Sequence, residues 1–309
     1  MQVHTDIENL PDFNNAVITI GTFDGVHLGH QKIIDALKKE CTKIRGESII
    51  ITFHPHPKKI VQPDYSLQLL NTLEEKIVLL KNKNIDHLVI VPFTAAFSEL
   101  SAEAYIEEFL IKKFHPHTII IGYDHHFGKE RKGNLVLLEK EQKKWNYTLI
   151  EIPKHILNEI GISSTKIRNA IINSEVEAAN YLLGYSFFFS GKVVEGDKIG
   201  RKLGFPTANL KYLDDDKIHL GEGVYAVYIE GEGFQKQGML SIGKRPTLSD
   251  VSVRTEVNIF DFDVDIYGQE LKVYVKAYLR EQVKYNSLEE LTQQLHMDKE
   301  AALIKLSQS

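Results

Sequence analysis

Apolar residues in the first half of the chain come in short unbroken runs. Val17-Ile18-Thr19-Ile20, Ser48 to Phe53, His87 to Val91, Thr118 to Ile121 and Tyr147 to Ile152 are strand-length and mostly β-branched. Between them the period lengthens. Gly29 to Lys39 gathers Ile33, Ile34 and Leu37 on one side, and Asn71 to Lys81, started by Thr72, gathers Leu73, Ile77 and Leu80. Ser101 to Lys113 reads as a further helix. Ser101 is its plain N-cap, because Ala104 stands where a capping box needs Glu or Gln. Strands that are apolar throughout and alternate with helices predict a parallel sheet covered on both faces.

The pattern changes after a helical tail at Asn173 to Gly184. Its apolar residues are Val176, Ala179, Tyr181, Leu182 and Leu183, and Gly184 ends it. Eleven of the 20 glycines lie from Tyr185 onward. Leu271, Val273, Val275, Ala277 and Leu279 alternate with Lys272, Tyr274, Lys276, Tyr278 and Arg280, the signature of a half-buried antiparallel strand. Gly223 to Ile229 and Thr255 to Phe260 read as others. Short strands with glycine turns predict a small closed β-barrel. Ser287-Leu288-Glu289-Glu290 is a capping-box signature for a C-terminal helix, with Asp298 expected to start its continuation. The expected organisation is an α/β domain over residues 1–184 and a β domain over 185–309, as 309 residues allow.

Charge is balanced in both parts. Residues 1–184 carry 21 Lys/Arg against 23 Asp/Glu, and 185–309 carry 16 against 19, so neither has the basic footprint of a nucleic-acid binder. A single cysteine, Cys41, rules out an internal disulfide and suits a reducing compartment. The N-terminal MQVHTDIENL has no apolar leader core, and no apolar run approaches the length of a membrane span. A cytoplasmic protein is expected, with the oligomeric state left open and a monomer compatible.

Parallel sheets bind ligands beyond the carboxyl ends of their strands, and the unusual residues fall there. The first strand runs into Gly21-Thr22-Phe23-Asp24-Gly25-Val26-His27-Leu28-Gly29-His30. Strand, glycine turn and helix start together form an anion site, and Gly29 lets a ligand approach the backbone. The two histidines could hold metal or phosphate. Zinc needs a third and usually a fourth ligand, whereas phosphate needs only donors at a helix start. The second strand leads to His54 and His56. The fourth leads to Gly122-Tyr123-Asp124-His125-His126-Phe127-Gly128, and the fifth towards Ser163-Ser164-Thr165-Lys166-Ile167-Arg168. Hydroxyls, N–H groups and a guanidinium there suit a triphosphate.

GTFDGVHLGH resembles the HxGH signature of nucleotidylyltransferases. With FHPHP, GYDHHFGKERKG and ISSTKIR, residues 17–172 resemble the adenylyltransferase module of the prokaryotic bifunctional riboflavin kinase/FMN adenylyltransferase family, or FAD synthetases. The resemblance implies a Rossmann-like sheet that joins FMN to ATP, giving FAD and pyrophosphate. It implies that His27 and His30 stabilise the α-phosphate, and that Ser163, Ser164, Lys166 and Arg168 hold the pyrophosphate. Gly21, Phe23, Asp24, Gly29, His56, Asp124 and Phe127 would contact substrates. His125 stands where the family usually has an aromatic.

The chemical stretch of the second domain runs from Gly196 to Leu210. Gly196, Gly200 and Gly204 shape an irregular loop whose N–H groups can cradle phosphates, and no Walker Gly-Lys-Ser/Thr is present. Thr207 and Asn209 offer neutral oxygens suited to Mg²⁺. The stretch GxxxGRxLGFPTAN, including Arg201 and Pro206, resembles the riboflavin kinase signature, and GVYAVYI, IGKRPTL and TEVNIFDFDVDIYG come after it in the family's order. The resemblance covers about 185–305 and implies ATP-dependent phosphorylation of riboflavin, with Glu256 as base. Ser241 stands where the family often has Asn, and Asn258 where His is frequent. The combined expectation is a flavin-cofactor enzyme using riboflavin, FMN, ATP and Mg²⁺. Its rivals are a chain with one live activity, a flavin or nucleotide sensor, and a zinc hydrolase.

Overall fold

The computed structural model describes residues 1–154, 161–196, 204–244 and 253–308. Gly200 and Arg201, and most of IGKRPTL, lie outside the described residues. Contacts divide the chain into two compact units, Met1–Ser164 and Thr165–Ser309. The division falls ahead of the boundary expected at Gly184. The helix Val176–Leu183 packs within the second unit: the Asn180 side-chain amide donates to the Val275 carbonyl at 2.9 Å, and its oxygen accepts from Phe187 N–H at 2.6 Å. Gly184 ends that helix in the left-handed conformation, as expected.

The first unit is built on a six-stranded sheet in the order β1-β4-β3-β2-β5-β6, with every pairing parallel. The strands are β1 Gln2–His4, β2 Val17–Ile20, β3 Ser48–His54, β4 His87–Pro92, β5 Thr118–Gly122 and β6 Thr148–Ile152. Ile18, Ile20, Ile49, Ile51, Val89, Val91, Ile119 and Ile121 enter one core, with Tyr105, Phe109 and Phe114. Their neighbours Val17, Ile50, Leu88, Ile90 and Ile120 enter another, with Ile34, Leu37 and Leu80. This two-sided burial is why the strands read as unbroken apolar runs. The strand order reverses between β2 and β5, so the crevice for a ligand lies beyond their carboxyl ends.

Several elements differ from the sequence reading. β1 pairs with β4 although its sequence is short and mostly exposed. A helix at Leu135–Trp145, capped by Asn134, links β5 and β6 and has no counterpart among the expected elements. Ser101 does cap its helix through Ala104 N–H, but Tyr105–Ile111 is π-helical; the wider turn keeps Tyr105, Ile106, Phe109 and Leu110 buried.

The second unit contains a closed antiparallel barrel, β10-β11-β8-β7-β12-β9. The strands are β7 Phe188–Val194, β8 Ala208–Tyr212, β9 Gly223–Gly231, β10 Phe234–Lys244, β11 Val253–Ile259 and β12 Glu270–Arg280. On β12 the expected alternation holds, with Leu271, Val273, Val275 and Ala277 buried. The C-terminal helix is unbroken from Leu288 to Ser307, so Asp298 does not start a continuation. It sits mid-helix, 3% exposed, in a two-point ion pair with Arg280 at 2.8 and 2.7 Å. Ser287 caps this helix through Glu290 N–H, while the Glu290 carboxylate reaches Asn286 N–H, one residue before the cap.

Candidate active sites

In the first unit, the β2 carboxyl end turns through Gly21–Val26 into the helix Leu28–Ile44. His27 is the N-cap of that helix, and its Nδ1 accepts from His30 N–H at 3.3 Å. The two imidazoles stack at 3.7 Å, 14° from parallel, with Phe23 5.0 Å from the His30 ring. A Cβ on Gly29 would meet His27 Cε1 at 3.1 Å. Gly29 therefore makes room for the His27 ring rather than for a ligand alone. His30 Nδ1 is buried and, among the described residues, has no hydrogen-bond partner. Burial, His27 and Lys76 hold the His30 pKa well below the ordinary value, so the ring is uncharged near neutral pH. An uncharged imidazole with an unused ring nitrogen is suited to meet a phosphate.

Asp24 and Phe23 have other duties in this structure. The Asp24 carboxylate, 2% exposed, accepts from Leu70 N–H at 2.9 Å and Asn71 N–H at 3.3 Å. Phe23 is enclosed beneath Gly21 and His30. Ser164 Oγ donates to the Asp24 carbonyl at 3.0 Å, a contact within the first unit that ties Ser164 to the HxGH loop. Ser163 is exposed beside it. Lys166 and Arg168 lie on the helix Ser164–Ile172, in the second unit. His56 caps the short helix Pro57–Val61 through Lys58 N–H.

Beyond β5, Asp124 is exposed. Phe127 is buried, stacked on Tyr105 at 4.9 Å, and exchanges both backbone hydrogen bonds with Gly133. A Cβ at Gly133 would fall within 2.3 Å of the Phe127 ring. Phe127 thus anchors the loop. The His125 ring tilts against Phe127 at 5.7 Å, and burial, His126 and Arg131 push its pKa down to about 4.

In the barrel, β8 and β11 pair so that Asn209 lies opposite Glu256. Thr207 Oγ1 donates to Glu256 Oε2 at 3.4 Å. A Cβ on Gly196 would land 1.9 Å from the Asn209 amide, so Gly196, just past β7, is pressed against Asn209. The Asn258 amide donates to the Pro206 carbonyl at 2.7 Å, which fixes the turn into Thr207. Phe205 is buried against the C-terminal helix, edge-on to His296 at 4.9 Å. Gly204 turns with φ 77°. A cleft opens beside Thr207, lined by Val193, Val257, Ile259, Phe262 and residues 263–267. Among the described residues, no three His, Cys, Asp or Glu side chains gather as a metal centre, and no helix is long and apolar enough to cross a membrane.

Sequence reasoning missed Lys76 and Thr52, which lie under the HxGH loop. Neither carries a motif, and only the packing of distant elements reveals them.

Residues 10–166 match the FAD synthetase family model, and residues 183–306 match the riboflavin kinase model. The bifunctional riboflavin kinase/FMN adenylyltransferase of Buchnera aphidicola subsp. Schizaphis graminum is 38% identical, over 96% of each chain. That of Bacillus subtilis is 36% identical, over 93% of this chain and 92% of its own. A crystal structure described as a macrolide-efflux protein from Streptococcus pneumoniae superposes with a TM-score of 0.87 at 31% identity, covering 97% of this chain and 98% of its own. With both models matched in order and full-length relatives above 30% identity, this chain belongs to the bifunctional riboflavin kinase/FMN adenylyltransferase family.

Proposed function

We infer that the barrel transfers the γ-phosphate of ATP to riboflavin O5′, giving FMN and ADP, and that the parallel-sheet unit then condenses FMN with a second ATP to FAD and pyrophosphate. The observation that carries the reading is that each matched domain holds its own constellation: the stacked His27–His30 pair at a helix N-terminus, and Glu256 bonded to Thr207 with Asn209 opposite.

In the kinase step Glu256 accepts the riboflavin hydroxyl proton as its oxygen attacks the γ-phosphorus. Thr207 orients that carboxylate. The loop from Gly196 to Gly204, including Gly200 and Arg201, covers the ATP phosphates, and Pro206 shapes its exit. The hard oxygens of Thr207 and Asn209, packed under Gly196 and beside a carboxylate, fit Mg²⁺. Bound there, Mg²⁺ would neutralise charge on the phosphates.

In the adenylyl transfer, an FMN phosphate oxygen attacks the α-phosphorus of ATP and pyrophosphate leaves in line. His27 and His30 donate to the charge that develops on the α-phosphate, with the helix N-terminus behind them. Ser163, Ser164, Lys166 and Arg168 take the leaving pyrophosphate. Gly21, Gly29, His56 and Asp124 complete the substrate contacts, while Phe23, Asp24 and Phe127 set the loops that make them. Nothing in this scheme needs a second chain. The cytoplasm suits it, because a sequence with one cysteine, Cys41, builds no internal disulfide.

The test is chromatography of flavins after incubating the protein with riboflavin, ATP and Mg²⁺. FMN and FAD together are expected. FMN alone would mean that the first unit is inactive, and bound flavin without either product would favour a sensor.

A further inference from the structure

Lys76 is a buried lysine that this scheme does not use. It lies on the helix Leu73–Lys81 and is 7% exposed. Its ammonium donates to the Thr22 carbonyl at 2.7 Å and to Thr52 Oγ1 at 3.5 Å, and Thr52 Oγ1 donates to the same carbonyl at 3.1 Å. A charge so enclosed is costly unless its donors are satisfied. Both of its acceptors are neutral. The opposing charge that acts on it is Asp24, whose carboxylate is itself bonded to Leu70 and Asn71 N–H. Burial lowers the Lys76 pKa to about 8, and its charge in turn helps to keep His30 neutral.

The loop above it needs holding. Phe23 and Val26 adopt left-handed backbone, with φ 46° and 37°. For a bulky or β-branched residue such a conformation persists only where its surroundings over-determine it. Three ties do so. Lys76 grips the Thr22 carbonyl ahead of Phe23, the Asp24 carboxylate grips the 70–71 backbone, and Gln31 Nε2 donates to the Val26 carbonyl at 3.0 Å. The Lys76 helix is itself fixed by a reciprocal capping box between Thr72 and Glu75.

We propose that Lys76 is a positioning residue for adenylyl transfer: its ammonium fixes the Thr22–Gly29 loop and so sets the stacked His27–His30 pair. The proposal rests on the adenylyltransferase reading of that pair. The test compares the full-length protein with Lys76→Met, which replaces the apolar stem as far as Cε and removes the donors. FAD formation from FMN and ATP is measured at steady state, kinase activity is measured in the same preparation, and hydrogen exchange is followed at the backbone amides. Lys76→Met should lower kcat for FAD formation about 10- to 100-fold, the range for a small misplacement of catalytic groups, with little change in KM for ATP. Kinase activity should hold. Exchange should accelerate within residues 21–30 and stay slow in β2 and β3. An unchanged kcat would overturn the proposal. So would lost protection throughout β2 and β3, since Lys76 would then support the whole sheet and not the loop. A parent protein that makes no FAD would sink the adenylyltransferase reading instead, and the exchange pattern would still score the hold on the loop.

Discussion

Thr207 Oγ1 donates to the Glu256 carboxylate across 3.4 Å, linking the PTAN turn to strand β11, where Glu256 is the proposed base. The hydroxyl meets one carboxylate oxygen, Oε2. Glu256→Gln keeps the acceptor for Thr207 and removes the basicity. It should cut FMN formation from riboflavin by about 10²- to 10⁴-fold, the span for a general base. FAD formation from supplied FMN should be unaffected. Paired assays on one preparation check this, and retained kinase activity would dismiss Glu256 as the base.

The histidine pair gives the converse result. His27→Ala also removes the acceptor that caps the helix Leu28–Ile44, whereas His30→Ala removes the ring with the buried Nδ1 and leaves the cap side chain in place. Each should lower FAD formation by about 10²-fold or more, the scale of one lost transition-state donor. Fed with riboflavin, either variant should accumulate FMN. Equal loss of both activities in the double variant would contradict separate sites.

The sequence revealed those parts of the fold that local physics decides. Runs such as Ile49-Ile50-Ile51 are buried on both faces of a parallel sheet, and the β12 alternation matches its half-buried face. Thr72, Ser101 and Ser287 all cap helices as read. The features that escaped depend on distant partners. β1 is a strand only because β4 offers it an edge. Asp298 resembles a helix start until Arg280 is seen beside it. Lys76 sits among ordinary helix residues, and only the approach of the Thr22 carbonyl gives it work. The candidate site was legible where a motif is contiguous, as in HLGH and PTAN. The use of Asp24 and Phe127 as loop anchors was not, because a motif names a residue without saying which way its side chain is spent.

The Arg280–Asp298 pair tests the join between barrel and C-terminal helix. Asp298 is almost fully enclosed and also accepts from Gln294 Nε2 at 2.9 Å. Asp298→Ala leaves the partly exposed Arg280 guanidinium with its bond to the Glu281 carbonyl but without its carboxylate, so the loss should fall at or below the low end of the about 3–5 kcal/mol that breaking a buried pair costs. Arg280→Met with Asp298→Leu removes both charges and should restore much of the loss. The readout is the urea midpoint for kinase activity in the full-length chain. A single variant as stable as the parent would mean that the helix is held by its other contacts, Ala302 and Leu306 in the core and the Tyr228 hydroxyl on the Leu306 carbonyl among them.

His125 replaces the aromatic common in the family, and its surroundings treat it as one. Its ring lies against Phe127, and its pKa is pushed from 6.5 to about 4, chiefly by burial. A histidine with a depressed folded-state pKa binds fewer protons folded than unfolded. Its contribution to stability is complete above about pH 6.5 and is lost as the pH falls from there towards 4. His125→Phe should retain adenylyl transfer at neutral pH, because the parent ring is already uncharged there. It should also flatten the acid side of the stability profile, leaving the contributions of His4, His30 and His219, whose values are likewise lowered. Thermal unfolding of parent and variant between pH 7.5 and 4.5 measures the difference. Parallel profiles would show that His125 stays accessible to protons in the folded chain. Loss of adenylyl transfer in His125→Phe would assign its ring nitrogens a direct part in substrate binding.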